Sequence, residues 1–252
     1  MFEREAERIA AQLRALPPES LSPLVNLGSS TEDFRTRQQP WIDQLLFEPL
    51  RANGARIVHV DLKQAEGVDL VADILSDEGF AALRGLRPKV VLLCNVVEHV
   101  LEPAVLVRRA LEVLEPGGRL IISAPRSYPY HRDPIDTMFR PTPAEVAALA
   151  PEARLTQSEI LPTGYYWDHL KRRPWLILRQ ICRAPFPFLG WTRWKRTMKK
   201  LYWLVKPYLV TIVVLEKPQV PAASVRARAR GALIKRQHMQ VENHVREHDF
   251  TA

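Results

Sequence analysis

Five short polar clusters break the apolar runs of this 252-residue sequence, and their residue types mark where chemistry can be done. Asn26, Gly28, Ser29 and Ser30 form a small-residue turn, where a missing Cβ lets backbone come close to a ligand. Asp61 and Asp73 each end an extended stretch. A carboxylate after a second strand is suited to accept both hydroxyls of a ribose, and a solvated strand-end Asp is the plainer reading of Asp61. Asn95, Val96, Val97, Glu98 and His99 follow the most apolar run. The last cluster, Tyr128 to Arg140, holds His131, whose ordinary pKa near neutrality suits general-base work. Asp133 and Asp136 are placed to orient it or to meet a substrate, and Tyr128, Asp136 and Arg140 are the candidate substrate contacts. Turn hydrogen bonding in a Pro-rich loop is the competing account of His131 and its aspartates. No Ser/His/Asp arrangement and no His/Cys cluster at metal-ligand spacing occurs, so no metal is expected.

The elements between these clusters alternate. Phe2, Ala6, Ile9, Leu13 and Leu16 repeat at helical spacing until Pro17 and Pro18 end the pattern, which predicts an amphipathic N-terminal helix within residues 1–20. Pro23 to Leu27 reads as a strand, Trp41 to Leu50 as a helix, Arg56 to Asp61 as a second strand, and Val68 to Asp73 as a short extended piece. A helix near Asp77 to Leu86 follows. Lys89 to Val97 is apolar almost throughout, as expected of a strand covered on both faces of a parallel sheet. Pro103 opens a helix with Ala104, Val107, Ala110, Leu111 and Leu114 on one face, and Pro116, Gly117 and Gly118 stop it. Arg119 to Ala124 is a strand, Thr142, Pro143 and Glu145 start a capped helix, and Arg154 to Leu161 and Tyr208 to Leu215 read as the last two strands. Such alternation predicts an α/β doubly wound sheet, Rossmann-like and mostly parallel. Ligands bind such sheets beyond the carboxyl ends of the strands, where the five clusters fall.

The net charge of +8 is local. Residues 165–206 carry eleven Lys and Arg against the single acid Asp168, whereas residues 1–164 are net acidic, with 18 basic residues against 23 acids. A local basic block implies an anionic partner near it rather than general stickiness. Within it Trp191, Trp194, Met198, Leu201 and Val205 form one helical stripe, with Arg193, Lys195, Arg196, Lys199 and Lys200 around the rest. Three readings stay open: an amphipathic helix on an anionic membrane surface, a cap over the substrate cleft, and, third, a phosphate-binding face without a recognised nucleic-acid module. Residues 218–252 read as a basic flexible tail. Two cysteines 88 positions apart, a charged N-terminus and no apolar run near ~20 residues lead to an expected cytoplasmic location, peripheral on the membrane if the basic block docks there.

The segment "NVVEHVLEPAVLVRRALEVLEPGGRLIISAP", with "VNLGSS" upstream and "VDLVADI" between, resembles the class I S-adenosylmethionine-dependent methyltransferases over roughly residues 22–150. "LVTIVVLEKP" resembles that family's final, antiparallel strand. The resemblance implies a methyltransferase domain over 21–217 and S-adenosylmethionine as cofactor. It implies Gly28, Ser29 and Ser30 beside the methionine part, Asp61 on the ribose, Asp73 at the adenine edge, and Asn95, Val96 and Val97 on the cofactor floor. The family's first loop has an acid and then alternate glycines; Asn26, Gly28, Ser30 and Glu32 stand there, so one glycine remains. The expected activity is O-methylation of a sugar, lipid-linked or other small acceptor, with His131 as base. The alternative is a cofactor-free binding protein of the same fold that docks through its basic helix.

Overall fold

The computed structural model describes residues 1–131, 135–172 and 202–219, with isolated positions 175, 194, 195 and 198. Asp133 and most of the basic segment, including Trp191, lie outside the described residues, as does the tail beyond Gln219. Met1–Lys217 forms one compact unit.

Seven strands build one sheet: β1 Leu24–Leu27, β2 Ile57–Asp61, β3 Leu70–Val71, β4 Val90–Cys94, β5 Arg119–Ser127, β6 Arg154–Gly164 and β7 Tyr208–Glu216. Their order is β3-β2-β1-β4-β5-β7-β6. β1 pairs in parallel with both β2 and β4, β4 in parallel with β5, and β7 runs antiparallel to β5 and β6. β7 alone is reversed, which agrees with the Rossmann-like, mostly parallel sheet and its antiparallel final strand.

The apolar strand runs divide residue by residue between two cores, because successive side chains leave opposite faces of a strand. Val90, Leu92, Ile121, Ile212 and Val214 pack on one side against α1, Glu3–Arg14, and the segment before β2. Val91, Leu93, Leu120, Ile122, Val213 and Leu215 pack on the other, against α3 Asp77–Gly85, α4 Pro103–Val113 and α5 Pro143–Ala148. Thr142 caps α5 through the expected capping box, its side chain accepting from the Glu145 amide at 3.3 Å.

Two expectations are amended in detail. Trp41 to Leu50 is not one α-helix: a π-helical turn spans Asp43–Phe47 and leads into α2, Glu48–Ala52. Pro49 has no amide hydrogen to give to the preceding turn, which is where a regular helix loses its bond. β5 and β6 run three residues further than their apolar patterns indicate, each with a register shift near its carboxyl end. A further helix, α6, spans Tyr166–Arg172. Among the described residues no helix is long and apolar enough to cross a membrane.

Candidate active site

Strand order reverses between β1 and β4, and loops that leave the two strands there in opposite directions open a crevice. A cleft of about 1500 Å³ lies along those carboxyl ends. Single-ligand pockets run to roughly 300–1,000 Å³, so this one has room for two molecules side by side. Of the residues singled out in the sequence, Asn26, Gly28, Ser29, Ser30, Asp61, Asp73, Asn95, Val96, Tyr128 and His131 line it. Val97 does not: it is fully buried and packed into the core under α4. Asp136 and Arg140 stand behind His131 rather than on the cleft wall.

The loop after β1 is tightly built. Gly28 has φ +76°, and a Cβ there would lie 2.5 Å from Val96 Cγ2, so the first loop seats directly on the loop after β4. Ser30 also takes the left-handed conformation, with φ +55°, at a position where the family resemblance leads one to expect glycine. Non-glycine residues rarely sit there unless surrounding contacts hold them. Two residues do so. The Ser30 amide donates to Asp61 Oδ2 at 2.8 Å, and the buried Arg35 guanidinium donates to the Ser29 carbonyl at 2.9 Å, the Ser30 carbonyl at 2.7 Å and the Gly67 carbonyl at 2.7 Å. Burial lowers the Arg35 pKa, with Asp43 and Asp69 opposing. Nothing in the spacing of "TEDFRTR" marks Arg35 out; its role exists only once three carbonyls converge on it.

Asp61 spends one acceptor position on Ser30 and another on the Lys63 amide at 3.1 Å. An ionised carboxylate has about four such positions, which leaves two for a vicinal diol. Asp73 Oδ1 takes the Leu75 amide at 2.8 Å. Asn26 bonds His59 at 3.1 Å beneath the cleft floor, where burial and the nearby Arg35 hold the His59 imidazole down at about 4. Asn95 has φ +53°, and its side chain donates to Glu5 Oε1 at 2.7 Å.

Glu5 is the residue that the sequence reading passed over. It has no exposed surface, and its carboxyl also accepts from Ser123 Oγ at 2.6 Å and from the Phe2 amide at 3.0 Å. The signal was present: Glu5 sits beside Ala6 on the stripe shared by Phe2 and Ile9, where a charge needs buried partners. The N-terminal helix is thereby bolted to β4 and β5, and Phe2 stacks on Tyr208 with ring centroids 5.7 Å apart at the cleft mouth.

At the far end of the cleft, His131 Nδ1 lies 3.2 Å from Asp136 Oδ2. Arg140 grips Asp136 with two bonds of 3.0 and 2.7 Å. Burial alone would raise the Asp136 carboxyl, but the Arg140 fork and the His131 and Met138 amides outweigh it and hold it at about 2. Burial lowers the His131 pKa against the pull of Asp136, so the imidazole is neutral at pH 7. His99 packs edge to face with His131, centroids 5.2 Å apart, and its Nδ1 meets the Ile135 carbonyl. Glu98 is only 1% exposed, and burial pushes its carboxyl up to about 7. The Cys94 thiol is pushed up to about 12 by burial, which makes it a packing group and not a nucleophile.

A family model described as a methyltransferase domain matches residues 1–175, more than half of the chain, and the chain belongs to that family. Among solved structures it is similar to a putative sarcosine dimethylglycine methyltransferase from Galdieria sulphuraria, at 13% identity and TM-score 0.53, over 86% of this chain and 85% of that one. It is similar to coclaurine N-methyltransferase bound to N-methylheliamine and SAH, at 15% identity and TM-score 0.51, over 85% and 72% of the two chains. The [4+2]-cyclase SpnF, at 15% identity and TM-score 0.50 over 85% and 82%, has the same fold. These likenesses show the fold. No curated protein matches the sequence.

The strand-end residues fit S-adenosylmethionine. The cradle at Gly28 is one that a Cβ would fill, and two acceptor positions of Asp61 remain for a ribose.

Proposed function

We propose that this chain transfers a methyl group from S-adenosylmethionine to an oxygen of a small or lipid-linked acceptor, such as a sugar hydroxyl. Gly28, Ser29 and Ser30 hold the cofactor's amino-acid portion, Asp61 its ribose and Asp73 its adenine edge. The coclaurine enzyme of the same fold is bound to SAH, in line with that reading. Bound there, the cofactor supplies an electrophilic methyl carbon on sulfonium sulfur. The protein's own contribution is alignment of the acceptor and removal of its proton.

The observation that favours oxygen is the neutral His131 imidazole with Asp136 behind it and Arg140 behind that. A hydroxyl must lose its proton as it attacks, whereas a free amine brings its own lone pair, so a carboxylate-backed imidazole has more to do for an alcohol. Asp136 also stabilises the imidazolium that forms. Burial holds the Tyr128 and Tyr208 phenols above their usual range, which removes them as bases.

Calorimetric titration of the full chain with S-adenosylhomocysteine tests the cofactor site. Saturable binding is expected, weakened at least tenfold in Asp61→Ala. No heat at millimolar ligand overturns the proposal and favours the cofactor-free docking protein instead.

A further inference from the structure

Glu98, His99 and His131 each offer a ligand atom, and the three atoms lie within 4.8 Å of one another. We propose that these side chains form a binding site for a divalent transition-metal cation of the zinc class, open to the cleft.

Four observations carry it. First, Glu98 is buried, yet among the described residues neither carboxyl oxygen has a hydrogen-bond partner. A buried carboxyl left unpaired costs several kcal/mol as a rough scale, so a fold keeps one there when something else satisfies it. Second, His99 Nε2 lies 3.8 Å from Glu98 Oε1, too far for a hydrogen bond. That separation is within about half an ångström of the ~3.4 Å between two ligands of one tetrahedral ion at bond lengths of about 2.1 Å. The widest pair in the cluster, up to 4.8 Å apart, closes by up to about 1.4 Å through side-chain rotation when an ion is held. Third, His99 Nδ1 is already occupied by the Ile135 carbonyl, which fixes the tautomer with Nε2 unprotonated and facing Glu98. Metal-binding histidines use this arrangement, one ring nitrogen on a carbonyl or carboxylate and the other on the ion. His131 Nδ1 lies 3.2 Å from Asp136 Oδ2 but, like the Glu98 carboxyl, is buried without a hydrogen bond among the described residues. Fourth, all three residues line the cleft, and two imidazoles with one carboxylate leave coordination positions open, as catalytic zinc sites do.

Asn95 to His99 and Tyr128 to Asp136 each lack metal-ligand spacing on their own. The site is assembled from two loops, the one after β4 and the one after β5, tied together where the Thr137 amide and hydroxyl both donate to the Glu98 carbonyl, at 2.9 and 3.0 Å.

Binding of the cation stands apart from the methyl-transfer reading; its use rests on it. A bound cation would take His131 as a ligand and would supply a charge that lowers the acceptor hydroxyl's pKa; in the metal-free chain His131 keeps the role of base.

The test is titration of the full chain, stripped with chelator and carrying no affinity tag, with Zn²⁺ by calorimetry and with Co²⁺ by visible absorption. His238, His244 and His248 of the tail are present in every variant, so only the difference between isotherms is read. One tight equivalent is expected in the parent chain, with d–d bands of a site containing nitrogen and oxygen. Glu98→Gln and His131→Asn should each weaken it at least tenfold. His131 is the more accessible of the two, so its variant stands if Glu98→Gln fails to fold. S-adenosylhomocysteine titration of the same samples separates the two ideas: wild-type cofactor binding without a difference in metal binding overturns the cation site alone. Metal binding lost in the variants, with no cofactor binding in any chain, leaves the cation site standing and removes the methyltransferase reading.

Discussion

Replacing Gly28 with alanine tests whether the first loop is the cofactor cradle. The native φ of +76° costs a residue bearing a Cβ about 1–2 kcal/mol. The new methyl would lie 2.5 Å from Val96 Cγ2, against an ordinary carbon contact of about 3.5–4.0 Å. Val96 is β-branched and stiff at χ1, so it cannot swing its methyl aside cheaply. Overpacking of that kind costs about 1–3 kcal/mol. The two terms together give about 2–5 kcal/mol, and at roughly 2–4 °C per kcal/mol for a domain of this size the melting temperature should drop by on the order of 10 °C. Pushing the Gly28 backbone off Val96 also displaces Ser29 and Ser30, so S-adenosylhomocysteine affinity should fall at least tenfold. Differential scanning calorimetry and ligand titration read the two effects. Adding Val96→Ala removes the overlap while leaving the φ cost, and should restore about half of the lost stability. A Gly28→Ala chain that melts and binds like the parent, or a double variant with no recovery, refutes the argument that the seating of the first loop on the loop after β4 shapes the site.

Glu5→Ala leaves Asn95, Ser123 and the Phe2 amide without their acceptor. At roughly 1–3 kcal/mol per unsatisfied buried group, a loss of about 3–5 kcal/mol is expected in chemical denaturation, with α1 gaining the earliest amide exchange; an unchanged midpoint would contradict the bolt. His59 gives a pH signature. Its imidazole titrates at about 4 when folded and near the ordinary 6.5 when unfolded. Above pH 6.5 neither state binds the proton and the residue contributes no pH dependence. As pH falls from 6.5 to 4, only the unfolded state takes it up, so stability is lost by up to about 3 kcal/mol, at 1.36 kcal/mol per unit. His59→Gln should flatten the denaturation midpoint over that window relative to the parent; identical slopes would show that His59 protonates freely in the fold.

How much of this was written in the sequence depends on the range of the interaction. Val90 to Leu93 and Leu120 to Ile122 announce themselves because a strand covered on both faces is apolar at successive positions, and the two cores claim alternate residues. The strand-end clusters were legible for a topological reason, since a parallel sheet has one edge where loops converge, and most of the residues named there line the cleft. Val97 was not separable from Val96 by type or position, because a single 3₁₀ turn decides that one faces the cleft and the other the core. Arg35 and Glu5 were illegible in a different sense. Each is a charge whose partners are backbone carbonyls, amides or side chains as far as 118 residues away; the helical stripe marks Glu5 as a charge in need of partners, but no local pattern says which residues those are.

The first loop draws these cases together. Judged by composition, Ser30 in place of glycine argues against a ligand cradle, because an isolated loop would relax out of φ +55°. In the folded chain Asp61 holds its amide and Arg35 holds its carbonyl, so the conformation that glycine would adopt freely is imposed from both sides. A missing glycine therefore does not mean a missing cradle. It moves the cost of the conformation from the residue itself to an aspartate on β2 and a buried arginine, and couples ligand binding to both: loosening Arg35 should disturb the cofactor end of the cleft even though no atom of its guanidinium need touch the ligand.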